Sequence, residues 1–153
     1  MTERLYYHDS FLREFDAQVL ACEAAGARNR VILDRTAFYP TSGGQPHDTG
    51  RLGDAAIVEV LDAEDDSVAH FTDRAVAAGP VHGTIDWERR FDHMQQHTGQ
   101  HLLSATFLAL FDFPTVSFHL GEETSTIDLD TPSLSAEQVQ QAEARANEVV
   151  FED

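Results

Sequence analysis

Lysine is absent from these 153 residues: all ten basic side chains are arginine, set against 15 Asp and 12 Glu. The formal net charge of −17 excludes a protein that captures nucleic acid through a globally basic surface. A single cysteine, Cys22, rules out an intrachain disulfide and with it a disulfide-stapled extracellular design; a small, buried apolar position is its expected place. No stretch reaches 18 apolar residues, and Met1 to Ser10 contain Glu3, Arg4, His8 and Asp9 in place of an apolar signal core. The expectation is a soluble, cytoplasmic protein without a membrane partner.

What is present is enough apolar material for a packed core, at 42% hydrophobic and 9% aromatic residues. Two explanations of the Asp-rich, Lys-free balance stand level. One is a halophile-like adaptation to a salt-rich cytoplasm that screens self-repulsion. The other is codon bias that replaces Lys with Arg.

Along the chain, short β-branched runs at Ala17 to Cys22, Arg30 to Leu33, Ala56 to Leu61, Val68 to Phe71 and Val81 to Ile85 alternate with turn residues. Five or six such strands predict a small β-barrel over residues 1–87. From Asp86 the period changes to that of one long helix reaching about Phe111, with overlapping apolar rows through Leu102, Leu103, Thr106, Leu110 and through Met94, Ala105, Leu108, closed by Pro114. Two strands, Thr115 to Leu120 and Ser125 to Leu129, follow with a turn at Gly121-Glu122-Glu123. Ser135 and Gln138 have capping-box spacing and open a last helix with the stripe Val139, Ala142, Ala146, Val149, Val150. The fold class is therefore α+β: an N-terminal barrel, then a two-layer α/β domain over residues 88–153 that reads as incomplete.

Two segments can carry chemistry. His97 and His101 stand at i and i+4 on the long helix, about 40° apart on one face, so that two neutral imidazoles reach one Zn²⁺. The spacing alone is weak evidence for a metal and is more often that of partly buried helix histidines; no Glu follows His97, so the metalloprotease helix is excluded. His93, about 12 Å along the axis from His101, lies outside that ion's reach and is assigned to its surroundings or to the surface. The second segment, Phe38 to Gly50, sets Gly43, Gly44 and Gln45 between Pro40 and Pro46; its backbone admits close approach of a ligand, and a plain barrel turn fits too. It has no P-loop ending.

The loop Phe38-Tyr39-Pro40-Thr41-Ser42-Gly43-Gly44-Gln45, the run from Arg89 to Ala105 containing His97-Thr98-Gly99-Gln100-His101, and Val116 to Gly121 together resemble the alanyl-tRNA editing proteins, relatives of the editing domain of alanyl-tRNA synthetase. The resemblance covers essentially the whole chain. It implies a zinc-dependent deacylase acting in trans on tRNA for alanine mischarged with serine, with glycine as a second candidate. It implies His97 and His101 as zinc ligands, Thr115 as the partner of the seryl hydroxyl, and Gly43, Gly44 and Gln45 as substrate-binding residues; no catalytic residue is assigned. The family's later C-x-x-x-H pair is absent, which suggests an amino-terminal piece of a longer protein. The alternatives are the editing module of a synthetase and a non-catalytic tRNA-binding remnant. The partner is the tRNA acceptor end, not DNA, and Arg89 and Arg90 are candidate phosphate contacts.

Overall fold

Alternation in the longest strand builds the first wall of the barrel: Phe15, Ala17 and Val19 are buried while Glu14, Asp16 and Gln18 face water. The computed structural model describes residues 1–121 and 124–152 and divides into two units, Met1–Asp92 and His93–Asp153. In the first unit the strands are β1 (Glu3–Arg4), β2 (Glu14–Ala25), β3 (Arg28–Leu33), β4 (Arg35–Thr36), β5 (Gly50–Leu52), β6 (Ala55–Asp62), β7 (Val68–Thr72) and β8 (Gly79–Ile85). Six of them close an antiparallel barrel in the order β2-β3-β7-β6-β5-β8, and β1 pairs with β4 in parallel outside it. A register shift between Val19 and Ala21 lets β2 serve β8 with one half and β3 with the other. Strand β5 falls between the predicted runs Arg30 to Leu33 and Ala56 to Leu61. It is only three residues long, too short to show a period.

The barrel is filled by Val31, Leu33, Phe38, Leu52, Ile57, Val60, Val68 and Ile85 around Phe15. Phe38 is fully buried and meets Phe15 edge-on at 5.5 Å between ring centroids. Cys22 packs at the margin of this core, partly buried, as an apolar residue.

The helix α1 (Trp87–Phe111) begins in the first unit; the second unit adds β9 (Thr115–Leu120), β10 (Ser125–Leu129) and α2 (Ala136–Glu152). Helix α1 stops at Phe111 because Asp112 takes a left-handed conformation (φ 57°) and Phe113 N–H returns to Phe107 O at 3.4 Å, just before Pro114. Its buried residues here include Thr106 and Phe107, whereas Leu108 and Leu110 are exposed. The apolar rows of this helix overlap nearly all round, so periodicity could not choose the face. The connection between β9 and β10 runs through Glu122 and Glu123, which lie outside the described residues. At Ser135 the capping box forms in full: Ser135 N–H donates to Gln138 Oε1 at 3.0 Å and Gln138 N–H to Ser135 Oγ at 3.2 Å. In α2, Ala142 is fully buried, while Val139 and Val150 of the expected stripe remain exposed.

Candidate functional site

The loop between β4 and β5 is held from both ends. His70 lies fully buried in β7; its Nδ1–H donates to Val31 O at 3.2 Å, which leaves Nε2 to accept from the Thr36 hydroxyl at 2.8 Å. Thr36 Oγ1 in turn accepts the N–H of Phe38 at 3.1 Å. Burial pushes the His70 pKa down to about 4, so the ring is neutral and each of its nitrogens is used. At the far end, Asp48 accepts the N–H of Tyr39 at 2.5 Å and is forked by Arg90 from the first turn of α1. Arg90 also donates to Ala37 O at 2.6 Å and Ser10 O at 3.0 Å.

Arg90 is therefore a buried structural cation, 3% exposed, and not the phosphate contact expected of it. Arg89 spends its Nε–H on His47 O at 3.2 Å. Asp86 caps α1 by accepting Arg89 N–H at 3.3 Å and is itself tied to Thr49.

Between these anchors Gly43 and Gly44 form a two-residue turn with φ of 56° and 80°, closed by reciprocal bonds of Ser42 and Gln45 at 3.2 and 3.0 Å. Two successive positive φ values are those of a type I′ turn, which glycine adopts without steric cost. The two glycines sit exposed at the tip, and Gln45 is buried behind them.

In the second unit the imidazoles of His97 and His101 stack at 4.8 Å, with their Nε2 atoms 3.0 Å apart. Two ligands of one tetrahedral zinc ion, bonded at 2.0–2.1 Å, stand roughly 3.3 Å apart, so this pair suits two of the positions around such an ion. The His97 pKa is lowered, first by burial and then by the neighbouring His101, which favours the neutral, ligating form. Among the described residues no group of three His, Cys, Asp or Glu is placed so that it could hold a metal ion. His93 is buried, 5% exposed, and is not a surface residue.

Beside the histidines, Thr115 at the start of β9 donates its hydroxyl proton to Ser104 Oγ at 2.7 Å, and Gln100 Nε2 donates to the same oxygen at 2.6 Å. Phe118 of β9 meets His97 edge-on at 5.3 Å and His101 at 6.3 Å. His97, His101 and Thr115 thus share the second unit, while Gly43, Gly44 and Gln45 belong to the first. Sequence reasoning missed Ser104, Gln100 and Phe118. The signal was available: Gln100 and Ser104 stand four apart on the helix face that carries His97.

A family model described as tRNA synthetases class II (A) matches residues 4–89. The chain is 40% identical over 160 residues to the mouse alanyl-tRNA editing protein Aarsd1, covering 95% of this chain and 39% of that protein. Identity to the alanyl-tRNA editing protein AlaX-L of Pyrococcus horikoshii is 34% over 160 residues, covering 100% and 39%. An alanine–tRNA ligase from Pyrococcus furiosus is 36% identical over 166 residues, covering 99% and 17%. The chain spans about two fifths of the length of the editing proteins that it matches.

Proposed function

The chain belongs to the family of tRNA synthetases class II (A), and from this membership and the second-unit cluster we propose that it hydrolyses tRNA for alanine mischarged with serine, using zinc held by His97 and His101. The observation that carries the reading is the convergence of two imidazole nitrogens at 3.0 Å beside a hydroxyl pair, Thr115 and Ser104, at 2.7 Å. An aminoacyl ester is already activated, so its hydrolysis needs a positioned water and stabilised carbonyl charge more than a covalent nucleophile. Zinc, when bound, supplies Lewis-acid stabilisation of that charge and a more acidic water.

The residues of this chain do the rest. His97 is kept neutral by burial and by His101, so it offers a lone pair and not a charge. The Phe118 ring lies against both imidazoles and limits their rotation. Thr115 addresses the one group that separates seryl from alanyl esters. A site built to hydrogen-bond a hydroxyl rejects the analogue lacking it by about 10⁴–10⁵, whereas a pocket that senses only a methyl group does not. Glycyl-tRNA is the second candidate substrate, and Gly43, Gly44 and Gln45 are proposed to contact the tRNA acceptor end.

One observation favours a second reading, a tRNA-binding module without its own metal: the described residues bring no third ligand to His97 and His101. Zinc content separates the two. A stoichiometric metal that His97→Ala removes, together with loss of seryl-tRNA deacylation in that variant, is expected for the deacylase. Unchanged hydrolysis in His97→Ala overturns the assignment.

A further inference from the structure

Thr115 and Phe118 are three residues apart in β9, and in a regular strand their side chains would leave opposite faces. Both nevertheless touch α1: Thr115 through Ser104, and Phe118 through His97 and His101. The pairing with β10 explains this. Asp128 lies opposite Ser117 and Leu129 opposite Thr115, so a single step in β10 matches two in β9, and Val116 is the extra residue of a β-bulge. The bulge reverses the alternation and turns Thr115 toward the helix. Val116 itself is 69% exposed, so packing of its side chain does not account for the irregularity.

The helix face that receives Thr115 is shared. Gln100, Ser104, His97 and His101 span about 100° of the helical wheel. A glutamine amide nitrogen can only donate, and Gln100 donates to Ser104 Oγ. The Thr115 hydroxyl proton goes to the same oxygen. Thr115 has one proton, and with it directed at Ser104 its Oγ1 has only lone pairs left to offer.

We propose that Ser104, held by Gln100, is a positioning residue that sets Thr115 as a hydrogen-bond acceptor for the hydroxyl of a seryl group, and that the bulge at Val116 delivers Thr115 to it. The inference rests on the deacylase reading and deepens it. Seryl is taken because it brings a donor proton to that acceptor. Alanyl carries a methyl group there and brings none.

The test uses two non-hydrolysable probes, adenosine bearing serine or alanine in 3′-amide linkage, so that binding is read without turnover. The protein is expected to bind the seryl amide more tightly than the alanyl amide. Ser104→Ala should reduce that ratio about tenfold, the loss of one net hydrogen bond, and Ser104→Thr should recover most of it. Deleting Val116 should reduce the ratio equally, because regular alternation turns Thr115 away, and Val116→Ala should leave it unchanged. The deletion also serves as the second variant should Ser104→Ala not fold. A ratio kept in folded Ser104→Ala or in the deletion variant overturns this inference and leaves the deacylase reading standing. A wild-type chain that shows no preference between the two probes overturns both.

Discussion

His70 shows how a single polar residue can be both buried and harmless. Its two nitrogens are committed to Val31 O and the Thr36 hydroxyl, so a neutral ring loses little on leaving water, while a charged ring would lose one partner and its hydration. Burial therefore holds its pKa near 4, below the ordinary value of 6.5. The unfolded chain binds this proton first on acidification, so between those two values it carries more protons than the folded one. In that window stability rises with pH and falls as pH drops. At pH 5 the protein should be less stable than at pH 7 by on the order of 2 kcal/mol from this residue alone. Urea unfolding of wild type and His70→Gln at both pH values checks this: the variant should lose that part of the pH dependence, and equal slopes would dismiss His70 as its source. Arg90 makes the complementary case. From the sequence it was one of two adjacent helix arginines, and nothing local separates a solvated arginine from one forked onto a buried Asp48 that lies 42 residues away.

Elements differ in how far the sequence betrays them, and the difference follows from range. The barrel strands with clean alternation, the long helix and the capping box at Ser135 rest on neighbours within four residues, and each was legible. The short strand β5 exists because β6 and β8 flank it, and the bulge at Val116 because β10 sets the register; neither cause is local. For the same reason His97 and His101 were legible as a pair, since helical spacing alone brings them together, whereas the Ser104–Thr115 contact had to wait for the strand to be placed. The glycine-rich loop falls between these cases: its Gly-Gly pair announces a tight turn but not its anchors. Because both glycines have positive φ, Gly43→Ala should destabilise the first unit by about 1–2 kcal/mol, the cost of a left-handed alanine. Gly43→Asn should cost much less, since Asn tolerates that region. No side chain stands within 4 Å of a Cβ at Gly43, so chemical denaturation of the two variants isolates backbone conformation from crowding. Equal losses would mean that the turn is not what these residues are for.

At the scale of the molecule the charge of −17 and the proposed tRNA substrate pull in opposite directions. Affinity for nucleic acid usually comes from arginine and lysine releasing counterions from phosphates, and this chain has only ten such side chains. Six of the ten, Arg4, Arg28, Arg35, Arg74, Arg90 and Arg145, already face carboxylates within the protein. Arg13 lies over the Trp87 ring at 4.3 Å, and Arg51 and Arg89 donate to backbone carbonyls. Few cations are left to neutralise phosphate, so the proposed recognition of an acceptor end would rest on shape and on hydrogen bonds to the unpaired end. The consequence is measurable. Each neutralised phosphate contributes a slope of about −0.9 on duplex or −0.7 on single strands to log K against log salt. Binding of tRNA to this chain should therefore fall only shallowly with salt, with a slope smaller in magnitude than about 2, the value for two or three phosphates. The same salt should raise the melting temperature of the free protein by screening its self-repulsion. Binding isotherms and melting curves between low and molar salt give both quantities on one sample. A steep fall in affinity would show that arginines leave their internal partners to meet the RNA, and a melting temperature indifferent to salt would show that the carboxylates are spaced widely enough not to repel one another.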